Sequence, residues 1–519
     1  MVAELGRSNC PGLGEKTNGI LFVVFALSTW TCHAHAQSLP SSYVAAVYEH
    51  RVLLNPEPRV TLSRSAALRH MRRNLQVFAQ QAARAALQGA QMLVFPEDGL
   101  QGFNFTRSSI AAYLEMVPDP QQESWNPCED PLRHSNTEVQ QWLSCLARRH
   151  RLYVVANMGS VQPCSRGSSR SRGSGGSCPS DGRWHFNTNV VYRSDGLLLA
   201  RYHKQNLYFE EAFDTPPHME LVAFDTPFAG KFGLITCFDI LFKQPTVSLL
   251  EKGVRQLIFP TAWMNQLPLL DTIQFQRAFS LGANVTLLAA NIRNDELIMT
   301  GSGIYSPSSA VYHHAQRGDP EEGRLIVATL TPLESLPDTL PVGHKEQGFG
   351  RAGSCHSEDC KDPLSFTSSM MHDRFTFILL RGPGGQRSVC DGSFCCWLQY
   401  QRIDSNFTEE YALGAFAGMH TVNGHYSLQV CALVKCAGAD ARSCGNEVVQ
   451  AQTKMHFVLE GTFNTKHVYP SVLTSHYTLE QPAHLDTTAL GTVTMTHSHM
   501  RAGLVTAALY GRTYHLDLH

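Results

Sequence analysis

Three short segments of this chain each carry an apolar, strand-like run into one chemically loaded residue. They are Leu93-Val94-Phe95-Pro96-Glu97-Asp98, Arg201-Tyr202-His203-Lys204 and Phe232-Gly233-Leu234-Ile235-Thr236-Cys237-Phe238-Asp239. In open α/β folds, functional side chains gather at the carboxyl ends of strands. A carboxylate, an ammonium and a thiol in that setting suffice for covalent amide hydrolysis. The thiol attacks a carbonyl, the carboxylate relays its proton, and the ammonium stabilises the developing oxyanion.

The surrounding pattern is α/β. Tyr43 to Tyr48 reads as a buried strand. Ser63 is placed to cap a helix that carries Leu68, Met71, Leu75, Phe78 and Ala82 on one face and ends at Gly89. Met92 to Phe95 is the next strand, which completes the strand–helix–strand unit of this fold class. Trp142 to Arg151 reads as a helix and Leu152 to Ala156 as a strand. Asn189 to Tyr192 and Leu198 to Tyr202 form a hairpin around Ser194-Asp195-Gly196. Phe232 to Thr236, Leu257 to Phe259 and Leu287 to Ala290 are further strands, which puts Cys237 at the end of a buried strand run.

Composition changes near residue 330. Residues 332–363, rich in Pro, Gly and charge, read as a linker or excursion between a catalytic domain at 37–331 and a second domain at 364–519. Short alternating segments and eight cysteines from Cys355 to Cys444 predict that this second domain is β-rich and disulfide-containing. A small core leaning on disulfides is expected to unfold first on reduction.

Cysteine usage bears on the compartment. Residues 1–36 read as a signal peptide, with an apolar run from Ile20 to Leu27 and a small-x-small site at Ala34-His35-Ala36. Of the 15 cysteines, Cys10 and Cys32 leave with that leader, and 13 remain. With Cys237 as the free thiol, 12 are left for six disulfides. Cys128 with Cys145, and Cys164 with Cys178, are attractive local bridges. The second of these encloses a low-complexity Ser/Arg/Gly stretch. Sequons at Asn104, Asn284 and Asn406 read as glycosylation sites and agree with export; the apolar stretch around Asn284 weighs against a glycan there. The last residues carry no hydrophobic tail, so a soluble, secreted protein without a stable membrane anchor is expected. A net charge of -2 favours no nucleic-acid partner.

Individual roles follow from side-chain chemistry. Cys237 is the nucleophile, and Lys204 is expected to lower its pKa and to meet the oxyanion. Glu97 is the proton acceptor that later protonates the departing amine and activates water. Asp239 reads as a structural hydrogen-bonder. Trp263, Met264 and Asn265 follow a strand end and are candidates for the pocket wall. His497 and His499 have a spacing a metal can use but show no third ligand, so no metal is expected.

These segments resemble the nitrilase superfamily, whose Glu-Lys-Cys triad sits on an α-β-β-α sandwich. The resemblance to its biotinidase and vanin (pantetheinase) branch covers nearly the whole mature chain. It includes Pro260-Thr-Ala-Trp-Met-Asn265 and Met299-Thr-Gly-Ser-Gly303, and the C-terminal domain particular to that branch. Phe95-Pro-Glu-Asp-Gly-Leu-Gln-Gly-Phe-Asn-Phe105, Asn206-Leu-Tyr-Phe-Glu-Glu-Ala-Phe-Asp214 and Asn265-Gln-Leu-Pro-Leu-Leu270 look more like its biotinidase side. The resemblance implies no cofactor and a small-molecule substrate: release of biotin from biocytin and biotinyl peptides through a thioester at Cys237, with biotin transfer as a further activity. It also implies a second glutamate supporting Lys204, Glu210 ahead of Glu211. The alternatives are hydrolysis of pantetheine by the same triad, and a non-catalytic secreted binding protein on the same fold.

Overall fold

The computed structural model describes residues 40–165, 177–333, 364–403 and 408–517. The leader, the Ser/Arg/Gly stretch, almost all of the linker and Asn406 lie outside them. The first five strands are β1 (Tyr43–Arg51), β2 (Met92–Val94), β3 (Tyr153–Pro163), β4 (Arg183–Tyr192) and β5 (Leu198–His203), paired in the order β5-β4-β3-β2-β1. Next come β6 (Ala223–Thr226), β7 (Gly230–Leu234), β8 (Gln256–Thr261), β9 (Thr286–Arg293), β10 (Ser302–Ser306) and β11 (Ser309–His313). Their order is β6-β7-β8-β9-β10-β11. β12 (Gly323–Leu330) returns antiparallel to β1. Among the described residues the two groups pair where His50 and Arg51 meet Ile292 and Arg293.

The two sheets face each other. Ala45, Val47, Val94 and Val155 of the first meet Phe232, Leu234, Ile258 and Leu288 of the second in one buried layer. Five α-helices accompany them: α1 (Arg64–Leu87), α2 (Arg107–Ile110), α3 (Glu138–His150), α4 (Ser248–Glu251) and α5 (Thr272–Ala283). α1 forms as its sequence dictates. The Ser63 hydroxyl accepts from the Ala66 N–H at 3.3 Å, and Met71, Leu75, Phe78 and Ala82 are buried. Gly89, at φ 78°, completes the exit turn. The ring of Phe78 stacks on Phe95 at 3.8 Å, anchoring the segment that leads to Glu97. With α1 and α3 on the first sheet and α5 on the second, the layers are α-β-β-α.

The C-terminal half is a second β-sandwich. Its strands are β13 (Phe366–Met370), β14 (Asp373–Leu379), β15 (Gly384–Asp391), β16 (Phe394–Arg402), β17 (Tyr411–His420), β18 (Tyr426–Lys435), β19 (Met455–Thr462), β20 (Val468–Thr474), β21 (Thr478–Leu479), β22 (His484–Thr487), β23 (Thr492–His497) and β24 (Leu504–Arg512). Seven form the sheet β13-β14-β17-β18-β24-β20-β21 and five the sheet β15-β16-β19-β23-β22. Cys396 on β16 and Cys431 on β18 are bonded, which ties one sheet to the other. Cys128–Cys145 and Cys164–Cys178 form as expected, and Cys390–Cys395 and Cys436–Cys444 close short loops. Cys237 is the one free thiol among the described residues.

The two halves share a core. Phe275 and Phe279 of α5 pack on Tyr469, and Phe275 also meets Tyr510. A Cβ on Gly282 would lie 2.3 Å from the Val468 carbonyl oxygen, so helix and strand touch backbone to backbone there. Arg512 is fully buried, donating from Nε to the Leu241 carbonyl at 2.9 Å and pairing with Asp517 at 2.6 Å. Two sequence expectations are corrected. Asn284 is exposed, because it caps α5 in a left-handed conformation at φ 53° just before the buried strand. Cys237 is outside the strand: β7 ends at Leu234, and Cys237 opens a 3-10 helix, Cys237–Leu241, with φ 43°.

Candidate active site

Each loaded residue follows a strand end on one side of the sandwich. Glu97 follows β2, Lys204 follows β5, and Cys237 sits on the elbow after β7. The elbow is fixed by Thr236 and Asp239: the Asp239 carboxylate accepts from the Thr236 N–H at 3.0 Å, and also from the Tyr202 hydroxyl at 2.7 Å and the Asn206 amide. Asp239 is therefore the structural hydrogen-bonder its position suggests. A non-glycine residue at positive φ is uncommon, and such conformations cluster at functional sites.

Lys204 is buried with its ammonium 2.7 Å from Glu97 Oε1 and in contact with Glu210. Glu211 instead pairs with Arg59 at 3.0 Å on the surface, which separates the two glutamates. The Asn187 amide donates to Glu97 and to Glu210, each at 2.8 Å. The Ala262 N–H donates to the other Glu97 oxygen at 2.9 Å. Behind Asn187 stands a ladder the sequence reading missed. Asn157 donates to Asn187 at 2.6 Å and to Asn189 at 2.9 Å, and Asn189 donates to Thr236 at 2.8 Å. These buried amides tie β3, β4 and the elbow into one hydrogen-bonded frame. Their signal was Asn187-Thr188-Asn189, three consecutive polar residues in the middle of β4.

The electrostatics follow from this packing. Burial raises the Glu97 carboxyl; Lys204 opposes the rise and Glu210 adds to it. Burial also works against the charged form of Lys204, but Glu210 and Glu97 outweigh it and hold the ammonium well above its ordinary range. Burial pushes the Cys237 thiol up, the Glu97 charge pushes it further, and Lys204 only partly compensates. Lys204 thus acts on the thiol in the expected direction, but burial and Glu97 outweigh it, so the net shift is upward. One ammonium shared between two carboxylates offsets only part of that rise, and the balance favours the protonated thiol.

The secondary candidates separate. Trp263 lines a cleft beside Cys237, its indole N–H donating to the Leu270 carbonyl at 3.0 Å. Met264 lines the same cleft. Asn265 does not: its carbonyl oxygen accepts from the Thr272 N–H at 2.7 Å at the start of α5, and its amide donates to the Thr300 carbonyl at 3.1 Å. It shapes the turn and stays out of the pocket. His497 pairs with Glu480 at 3.0 Å. No described helix is long and apolar enough to cross a membrane.

Comparison with known proteins agrees with this geometry. The carbon-nitrogen hydrolase family model matches residues 56–332, and the vanin C-terminal domain matches 364–517. The chain is 65% identical to biotinidase of Takifugu rubripes, over 93% of this chain and 96% of that one. It is 47% identical to biotinidase of Bos taurus, over 92% and 93% of the two chains. It is 43% identical to pantetheinase of Mus musculus, over 94% and 91%. A buried carboxylate–lysine pair beside a single free thiol, on a sandwich matched over these lengths, leads to one assignment: the chain belongs to the carbon-nitrogen hydrolase family, in the branch that holds the biotinidases and pantetheinases.

Proposed function

We propose that the protein hydrolyses biotinyl amides, releasing biotin from biocytin and biotinyl peptides, with Cys237 as nucleophile, Glu97 as proton acceptor and donor, and Lys204 as oxyanion stabiliser. The observation that carries this reading is the burial of Lys204 between Glu97 and Glu210 next to the free thiol. As the sulfur attacks the amide carbon, Glu97 takes the thiol proton and the carbonyl oxygen gains its charge near Lys204. Collapse breaks the C–N bond, and Glu97 returns the proton to the departing amine. Water then adds to the thioester with Glu97 as base. The C–S bond breaks, the acid leaves, and the thiol is restored. With an amine in place of water, the same thioester transfers the acyl group.

Sixty-five per cent identity to a biotinidase supports the biotinyl group over the pantothenoyl group. Residues 1–36 act as the signal peptide of a secreted glycoprotein in this reading. Asn104 and Asn284 are both exposed and accessible to a glycan. Comparing purified protein on a biotinyl amide and on pantetheine tests the substrate. Faster turnover of pantetheine would move the protein to the other side of its branch, and turnover of neither would favour a binding protein.

A further inference from the structure

The thiol lies where two unlike clefts meet. Both are lined by Tyr208, Cys237, Ala262 and Met264. One continues past Lys204 to Glu97, Glu210 and Glu211. The other runs over Phe238 and Trp263 and has no Asp, Glu, Lys or Arg in its wall. Its far side comes from the C-terminal sandwich: His372 in the β13–β14 turn, His420 at the end of β17, and Asn423 in the β17–β18 turn.

These turns are built against the nucleophile's own segment. A Cβ on Gly424 would fall 2.8 Å from the Phe238 ring, so the turn rests on the residue after Cys237. Phe238 in turn packs on Tyr208 and Phe242, and Phe242 on Tyr426. His372 and Asn423 hold left-handed backbones at φ 70° and 60°, which presents both side chains at the rim. Asp373 holds His420 Nδ1 at 2.8 Å, leaving Nε2 as the ring nitrogen for a ligand.

We infer that the two clefts divide the substrate at the scissile bond: the acyl group lies in the uncharged cleft, its polar head read by the C-terminal turns, and the departing amine lies in the acidic cleft. The inference rests on the amide-hydrolase reading above. Glu97 must protonate the amine, and Glu97 lines only the acidic cleft. Carboxylates there suit a leaving amine that carries an ammonium group, as the α-amino group of a biocytin-like lysine does. An uncharged wall with a few imidazole and amide groups suits an uncharged acyl body with a polar head. The C-terminal sandwich is then part of the specificity site.

Two ratios of kcat/KM test this in the full-length protein. The acyl ratio compares biotinyl with plain pentanoyl on one leaving amine. The amine ratio compares a lysine-like with a neutral leaving amine on one acyl group. Glycine tolerates the left-handed backbone, so His372→Gly with Asn423→Gly removes two side chains without strain. That double variant is expected to lower the acyl ratio about tenfold and leave the amine ratio within about twofold, on the usual value of a hydrogen bond. Glu211→Lys is expected to lower the amine ratio about threefold or more and spare the acyl ratio. Ratios within one variant do not depend on how much of it folds. The reverse pattern, or no change in either ratio, would overturn the inference. A wild-type protein that prefers another acyl group would fail the biotinyl reading instead, and the division would then be judged with that acyl group in the ratio.

Discussion

At Cys237, burial and the Glu97 charge act in the same direction, and both disfavour the thiolate. Under the proposed mechanism Glu97 therefore has two opposed effects: its charge disfavours the thiolate, and it supplies the base during attack. Two outcomes separate them. Glu97→Gln is expected to lower kcat by about 10²- to 10⁴-fold, the usual value of a lost general base. The same variant is expected to react faster than wild type with an alkylating reagent near neutral pH, because a negative charge beside the sulfur is gone. Slower labelling in the variant would contradict this account. Because Glu97 acts in its ionised form and its pKa is raised, kcat/KM should fall as pH drops through a value above the ordinary glutamate range. An acid limb at or below that range would oppose the assignment. Glu97, Lys204 and Cys237 stood out in the sequence because their side chains carry unusual chemistry after strand-like runs, and the fold brings them to one cleft. Asn157, Asn187 and Asn189 were not, since an amide in a strand gives no hint of its partner. Nor was the positive φ of Cys237, because no glycine marks it.

Among the elements, those with a clean period were readable. α1 shows its apolar face every third or fourth residue, and the β4–β5 hairpin announces itself at Ser194-Asp195-Gly196. α5 escaped notice for a physical reason. Every residue from Thr272 to Ser280 is buried, the polar Gln274, Gln276 and Arg277 included, so its polar residues do not mark a solvent face. A single element also carries a pH-dependent clamp. Glu409, just before β17, pairs with Lys435 at 2.8 Å and accepts from the Thr453 N–H at 2.8 Å. Burial opposes its charge, yet those partners lower its pKa from 4.5 to about 2. A depressed carboxylate stabilises the fold above its unfolded pKa and loses that contribution as pH falls through the folded one. Glu409→Gln is thus expected to lower Tm at pH 6 and to converge on wild type as pH falls from about 4.5 towards 2, if the fold survives at that acidity. A Tm gap independent of pH would rule the clamp out.

For the whole molecule, the contact of α5 with β20 and the reach of Arg512 to Leu241 join the catalytic and C-terminal halves through one core. The sequence suggested two regions by their composition, and it was silent on this union because the contacts lie hundreds of residues apart. Reduction is accordingly expected to lower the stability of both halves together, in one cooperative transition, in place of the staged loss that composition alone suggests. Thermal unfolding followed by tryptophan emission and by activity would show it; activity outlasting loss of the C-terminal sandwich would contradict it. Arg512→Leu should lower Tm, since it removes a buried guanidinium's hydrogen bonds to the Leu241 and Ser427 carbonyls and its pair with half-buried Asp517, and should disturb the helix that begins with Cys237. The most direct test of the central claim is intact-mass analysis of purified protein mixed briefly with a biotinyl amide, alongside steady-state turnover and Cys237→Ala. The account predicts a transient biotinyl adduct mapped to Cys237, biotin release at a matching rate, and neither in the variant. Biotin release without an adduct, or release that persists in Cys237→Ala, would contradict it.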